Sequence, residues 1–222
     1  MTKPLPVARL HRPTLGDDVY ETLRSAVLEH ILEPGDRVNI DALARELEVS
    51  PTPVREALAR LESEGLVRKR PRAGYTVSPL LTVAEFNDMF DMRLLLECAA
   101  ARWAAERATA AQCEELTTEA TRTVEGGDDR VWHAAFTALD ARLHDLVAHL
   151  SASPLLRESI NRLHSHLHLH RRHFPYDQTA VANDEHRLLA AAIQARDPDR
   201  AEAAMRLHLT RARARHLVAF ET

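Results

Sequence analysis

The chain has 222 residues, 45% of them hydrophobic and 28% charged, with a formal net charge of −4. That length suits two domains, and no apolar run approaches the roughly 18 residues of a membrane span, so no membrane insertion is expected. The N-terminal MTKPLPVARLHRPTLGDD lacks the apolar stretch of a secretion signal, which makes the cytoplasm the expected compartment.

Residues 1–14, with Pro4, Pro6 and Pro13, read as a flexible arm. Over 15–32 the apolar Val19, Leu23, Ala26, Val27 and Ile31 recur at helical spacing, and Glu33-Pro34-Gly35-Asp36 ends that helix. A short second helix is expected over 40–47, with Leu43, Ala44 and Leu47 on one face. A third starts at Ser50-Pro51-Thr52-Pro53, where a hydroxyl can cap free N–H groups and proline fits the first turn, and it runs to about residue 64. Strands at 66–69 and 75–78 then flank Arg70-Pro71-Arg72-Ala73-Gly74, a hairpin with a cationic tip. Residues 15–78 therefore read as a winged helix-turn-helix of three helices and a small β-hairpin.

Pro79 marks a boundary, beyond which strand signals disappear. Helices are expected at roughly 82–107, 110–125, 129–150, 154–173, 178–195 and 198–219, broken at Thr109, Gly126-Gly127, residues 151–154, Pro175 and Asp197-Pro198. Residues 79–222 are thus an all-α antiparallel six-helix bundle, and the fold class is mainly α. Cys98 and Cys113 lack the CxxC spacing of a metal or redox motif and read as buried thiols.

Charge clustering says more than net charge. Arg68, Lys69, Arg70 and Arg72 crowd the hairpin, and such a patch binds phosphates on a protein of neutral balance. The N-terminus of the third helix offers unpaired N–H groups and a positive dipole end, suited to a phosphate, with Ser50, Thr52 and Arg55 projecting from its first turns. Arg55 can fork onto guanine in a major groove. Arg60 reaches a phosphate or lies on the surface. Gly74 permits close backbone approach between Arg70 and Arg72, as a wing entering a minor groove needs. Against this, helix-turn-helix shapes also serve as protein-interaction modules, and Arg55 alone suits a surface pair with Glu56 or Glu62.

In the second domain Asp140 and His144 are four apart on one helical face, a spacing that lets both bind one metal ion. His186 and His208 are the further candidates, and spacing alone does not bring them together. His164, His166, His168, His170 and His173 invite a second metal site, but residues two apart on a helix point in different directions. Some are expected to line a pocket and others to face solvent.

The order Pro34-Gly35-Asp36-Arg37, Leu43-Ala44-Arg45-Glu46-Leu47 and Val49-Ser50-Pro51-Thr52-Pro53-Val54-Arg55-Glu56-Ala57-Leu58 resembles the GntR family of bacterial regulators. That resemblance implies DNA contacts from Ser50, Thr52, Arg55 and Gly74; many relatives carry arginine where this chain has Pro51. Arg93-Leu94-Leu95-Leu96-Glu97, Leu139-Asp140-Ala141-Arg142-Leu143-His144, Glu185-His186 and the segment from Ala201 to Leu209 resemble the FCD domain of the FadR subfamily. This implies a divalent transition metal, zinc or nickel, on Asp140, His144, His186 and His208, with open positions facing an effector. A small carboxylate is the implied effector, with Arg93 as its candidate partner and Asn161 as another. An i,i+4 pair between Arg93 and Glu97 is the structural alternative.

The reading is then a transcriptional regulator rather than an enzyme, binding near-palindromic double-stranded operator DNA as a homodimer. A metal-responsive regulator without an organic effector is one alternative. A metal-dependent hydrolase or lyase is another, although it leaves the first 78 residues unexplained and has only Glu185 as a nearby base.

Overall fold

The computed structural model describes residues 15–70, 74–124, 130–170 and 179–220. Arg72, His173, the side chain of His170 and the expected arm at 1–14 lie outside the described residues. The chain divides after Ser78 into two compact units.

The first unit runs α1 (Leu15–Leu28), β1 (Arg37–Val38), α2 (Ile40–Glu46), α3 (Pro51–Ser63), β2 (Val67–Arg70) and β3 (Gly74–Val77). Its core is the apolar face of α1, with Val19, Leu23 and Val27, packed with Val54, Leu58 and Leu61 of α3. α1 stops four residues short of the expected 32. His30 turns into the left-handed region at φ +54°, and the N–H groups of Ile31 and Leu32 both fold back onto Ala26 O, at 2.9 and 3.0 Å. Ile31, expected on the apolar stripe, is consequently 75% exposed. Pro34 reinforces the stop, since the residue before a proline is pushed out of helical geometry.

Three antiparallel strands order β1-β3-β2, one more than the sequence suggested. β1 has two residues, too few for alternation to show. β2 and β3 are offset by one residue from expectation, and Arg70 pairs with Gly74. Gly74 has φ +78°, and a Cβ placed there would meet no atom within 4 Å. Its requirement is therefore conformational rather than steric. Gly74→Ala is expected to destabilise the first unit by about 1 kcal/mol, read as a lower thermal midpoint.

Asn39 caps α2 by accepting the Ala42 N–H at 3.0 Å. Ser50 occupies the N-cap of α3 but makes no side-chain cap bond, contrary to the expected hydroxyl cap. With proline at positions 51 and 53, Thr52 supplies the one backbone N–H among the first three residues of α3.

The second unit contains α4 (Val83–Arg107), α5 (Ala110–Ala120), α6 (Arg130–Leu150), α7 (Pro154–His170), α8 (Thr179–Gln194) and α9 (Pro198–Leu217), closed by a 3-10 turn at Val218–Phe220. Capping boxes start α4 (Thr82 with Glu85) and α5 (Thr109 with Gln112). α5 ends five residues before the expected 125. Threonines crowd its last turns, and the Thr121 hydroxyl donates back to Thr118 O at 2.8 Å, competing with helix propagation. α4 and α9 run antiparallel, since Arg102 reaches Asp199 while Arg213 reaches Asp91.

Two apolar clusters fill this unit. One holds Ala101, Ala104, Leu116, Leu143, Val147, Ile160, Leu189, Ile193 and Leu209; the other holds Phe86, Phe90 and Leu167. The buried stripe of α4 passes through both as Phe86, Phe90, Arg93, Glu97, Ala101 and Ala104. Two charged residues in the middle of an apolar stripe are rarely tolerated without partners, and they locate the site. Cys98 and Cys113 are both free and buried.

Candidate metal centre and nucleic-acid interface

α6, α8 and α9 bring Asp140, His144, His186 and His208 together, with one ligand atom from each lying within 4.8 Å of every other. The three histidines are buried and Asp140 is partly so. His144 Nε2 lies 3.2 Å from His208 Nε2, and Asp140 Oδ1 lies 3.4 Å from His186 Nε2 and 3.8 Å from His144 Nε2. Neighbouring donors bound at about 2.0–2.1 Å stand roughly 2.9 Å apart in an octahedral sphere and roughly 3.3 Å apart in a tetrahedral one, so these separations suit one first-row ion. His186 Nε2 is buried and, despite its nearness to Asp140, has no hydrogen-bond partner among the described residues. An orphaned imidazole nitrogen facing a carboxylate and two other imidazoles fits a cation.

The protonation states agree. Burial opposes charge on Asp140, but His144, His186 and His208 hold its carboxyl well below the usual carboxylate range. Burial pushes His208 down to about 3. An ionised carboxylate beside a neutral imidazole is the form that binds metal. The same shift predicts acid lability of the metal-free unit. His208 takes its proton at the ordinary value of 6.5 when unfolded but only near 3 when folded, so its contribution is intact above pH 6.5 and is lost as pH falls toward 3. At pH 5 that loss is about 2 kcal/mol, and urea midpoints measured from pH 7 to 5 should fall accordingly.

Glu97, His144 and His164 form a second group with metal-like spacing. A guanidinium already occupies it. Arg93 Nε donates to Glu97 Oε1 at 2.6 Å, and Arg93 Nη2 lies 3.3 Å from His164 Nε2. Burial opposes charge on Glu97, but Arg93, His144 and His164 keep it ionised. The i,i+4 pair is thus formed, and Arg93 lies in the wall behind His144. His164 and His168 are buried on α7 and His166 is half-buried. Asn161 does not join the cluster. It falls beside the buried stripe Ile160, His164, Leu167 and His168, is exposed, and donates to Asp145 Oδ1 at 2.9 Å.

Behind His208 stands Glu185, whose Oε2 lies 2.9 Å from His208 Nδ1 and which receives both terminal nitrogens of Arg215 at 3.2 and 3.0 Å. Burial notwithstanding, His208 and Arg215 hold Glu185 down to about 2. A carboxylate so engaged is not a waiting general base. Residue patterns gave Glu97 only as an ion-pair partner and Glu185 only as a candidate base beside His186; their interruption of apolar helix faces was the available signal.

In the first unit Ser50, Thr52 and Arg55 are exposed at the start of α3, and Arg68, Lys69, Arg70 and Gly74 are exposed on the hairpin. Among the described residues Arg55 makes no ion pair with Glu56 or Glu62. Arg60 is engaged elsewhere: its Nη1 donates to Asp17 Oδ1 at 2.9 Å and its guanidinium lies 3.7 Å over the Tyr20 ring. It ties α3 to α1 while remaining about half exposed.

Among the described residues no helix is long and apolar enough to cross a membrane. Residues 15–77 match the family described as bacterial regulatory proteins, gntR family, and residues 88–211 match the FCD domain. The HTH-type transcriptional repressor RspR of Escherichia coli K12 is 28% identical over 198 residues, covering 88% of this chain and 86% of that protein. The HTH-type transcriptional repressor NanR of Salmonella enteritidis PT4 is 28% identical over 222 residues, covering 90% and 83%. The structure of E. coli McbR/YncC superimposes with a TM-score of 0.69 at 22% identity, over 94% of this chain and 98% of that one, a likeness of fold. These families and relatives are transcriptional regulators rather than enzymes. With both halves of the chain matched in order, it belongs to the GntR family and is a DNA-binding transcriptional regulator whose second unit is an FCD domain.

Proposed function

We propose that this regulator works in the cytoplasm as a homodimer on a near-palindromic operator, and that a small organic acid at a divalent metal site changes its DNA affinity. The observation that carries the reading is the buried set Asp140, His144, His186 and His208. The four residues would hold zinc or nickel, which suit nitrogen-rich sites. Four protein ligands leave room in a five- or six-coordinate sphere for a carboxylate. Domain boundaries at 15–78 and 79–222 follow, with reading of DNA in the first and sensing in the second.

Ser50, Thr52, Arg55, Arg70 and Gly74 are the proposed DNA contacts, with Arg72 as a further candidate. The Ser50 hydroxyl is not spent on capping α3, the Thr52 N–H lies in its first turn, and Arg55 stands exposed one turn on. Arg55→Ala should weaken specific binding by about 1–3 kcal/mol, roughly 5- to 150-fold, while leaving thermal stability unchanged. Arg60→Ala should do the reverse, lowering stability with little effect on sequence preference. Band-shift titrations and melting curves separate the two.

Arg93 is the proposed second contact for the acid, and one observation favours a metal-responsive regulator instead: Glu97 already pairs with that arginine. The decisive experiment titrates metal-loaded protein against its own upstream DNA with and without a panel of small carboxylates, and repeats it after chelation. A shift by one acid only in the metal-loaded protein supports the organic effector. A shift by metal alone supports the second reading, and no specific DNA binding overturns both.

A further inference from the structure

Two of the clustered imidazoles are held from behind by carboxylates that are themselves held by arginines. On one side Arg93 Nε donates to Glu97 Oε1 at 2.6 Å, and Glu97 Oε2 is bonded to His144 Nδ1. On the other, Arg215 grips Glu185 with both terminal nitrogens, Arg211 Nη1 approaches Oε1 at 3.4 Å, and Glu185 Oε2 is bonded to His208 Nδ1. Both carboxylates are buried, 1% and 3% exposed.

An ionised carboxylate only accepts hydrogen bonds, so the Nδ1 it faces must carry the ring proton. A neutral imidazole has one such proton, and each Nε2 is then a bare lone pair. His144 Nε2 and His208 Nε2 face each other at 3.2 Å, an arrangement that is repulsive unless a positive charge lies between them. We propose that Glu97 and Glu185 are positioning residues that fix His144 and His208 as Nδ1–H tautomers, both presenting Nε2 to one divalent cation. The arginines supply the second half of the device. They turn each carboxylate away from the ligand set, so neither can swing in and close a position meant for an exogenous ligand.

This inference rests on the metal reading, and its test separates the two. Wild-type protein is titrated with zinc against a chromophoric chelator, and imidazole nitrogens of the zinc-saturated protein are assigned by long-range proton–nitrogen correlation NMR. His144 and His208 are expected to be zinc-bound through Nε2 and protonated at Nδ1. Glu97→Gln and Glu185→Gln are each expected to weaken zinc binding about 10- to 100-fold, with partial recovery in Glu185→Asp. Glu202→Gln, at a surface ion pair, should leave affinity unchanged. Ligation through Nδ1 in the wild type overturns the proposal without recourse to any variant, as does unchanged affinity in both glutamine variants. If wild-type protein takes up neither zinc nor nickel, the metal reading itself falls and this inference with it.

Discussion

Arg93→Ala is expected to destabilise the second unit by about 3–5 kcal/mol, a large share of the 5–15 kcal/mol typical of a domain. Arg93 and Glu97 are each 1% exposed, and their pair is sealed between the two apolar clusters of the bundle. Removing the guanidinium leaves an ionised, 1% exposed carboxylate with His144 and His164 as its remaining partners among the described residues. The exposed pair of Arg102 with Asp199 gives the contrast: solvent screens it, and its loss should cost far less than that of the buried pair. Trp103 and Trp132, the only two tryptophans, both lie in the second unit, so urea unfolding followed by tryptophan fluorescence reports on it directly. Arg93→Met combined with Glu97→Leu should recover most of the stability, since replacing both charges with apolar groups removes the unpaired ion. It should not recover metal affinity, because His144 would then have lost its carboxylate. A cost below 1 kcal/mol for Arg93→Ala would mean that Glu97 is protonated and that the buried pair is not ionic.

Most helices were legible because each carries a local signal of start or stop. Asp197-Pro198 opens α9 with the Asp197 carboxylate accepting the Arg200 N–H, as the pattern predicts. What failed was set by contacts distant in sequence or by elements too short to have a pattern. Nothing near Arg60 announces that Asp17 and Tyr20, some forty residues earlier, will take its guanidinium. β1 exists because Val77 N–H reaches Asp36 O at 2.8 Å, a pairing invisible in a two-residue strand. Asp140 and His144 could be paired by spacing, whereas His186 and His208 joined them only through likeness to a known domain. The place of the two carboxylates behind them was hidden for a different reason. Glu97 and Glu185 look like ordinary helix charges until the buried stripes of α4 and α8 are drawn, where they stand among Phe90, Ala101, Ala182 and Leu189.

Saturation with zinc or nickel is expected to stabilise the second unit by about 4 kcal/mol when free ion stands 1,000-fold above its dissociation constant. The folded site sets an ionised Asp140 near His208, whose own proton affinity burial lowers, and opposes two Nε2 atoms at 3.2 Å, a cost that a bound cation would offset. The unfolded chain offers no such assembled set, so binding energy appears as folding energy. His208→Ala should abolish the increment, because His208 meets His144 through Nε2 and is locked behind by Glu185. The comparison must be the increment rather than the stability itself, since deleting a buried imidazole also leaves a cavity and strands Glu185. Thermal unfolding of wild type and His208→Ala, each with excess chelator and with excess ion, supplies the four values. If the wild type gains nothing from either ion, the four side chains are a cluster that shares protons rather than one that holds metal. The increment in wild type and its absence in the variant together place the ion on His208, and because the ion competes with protons for the same nitrogens the increment should shrink as pH falls.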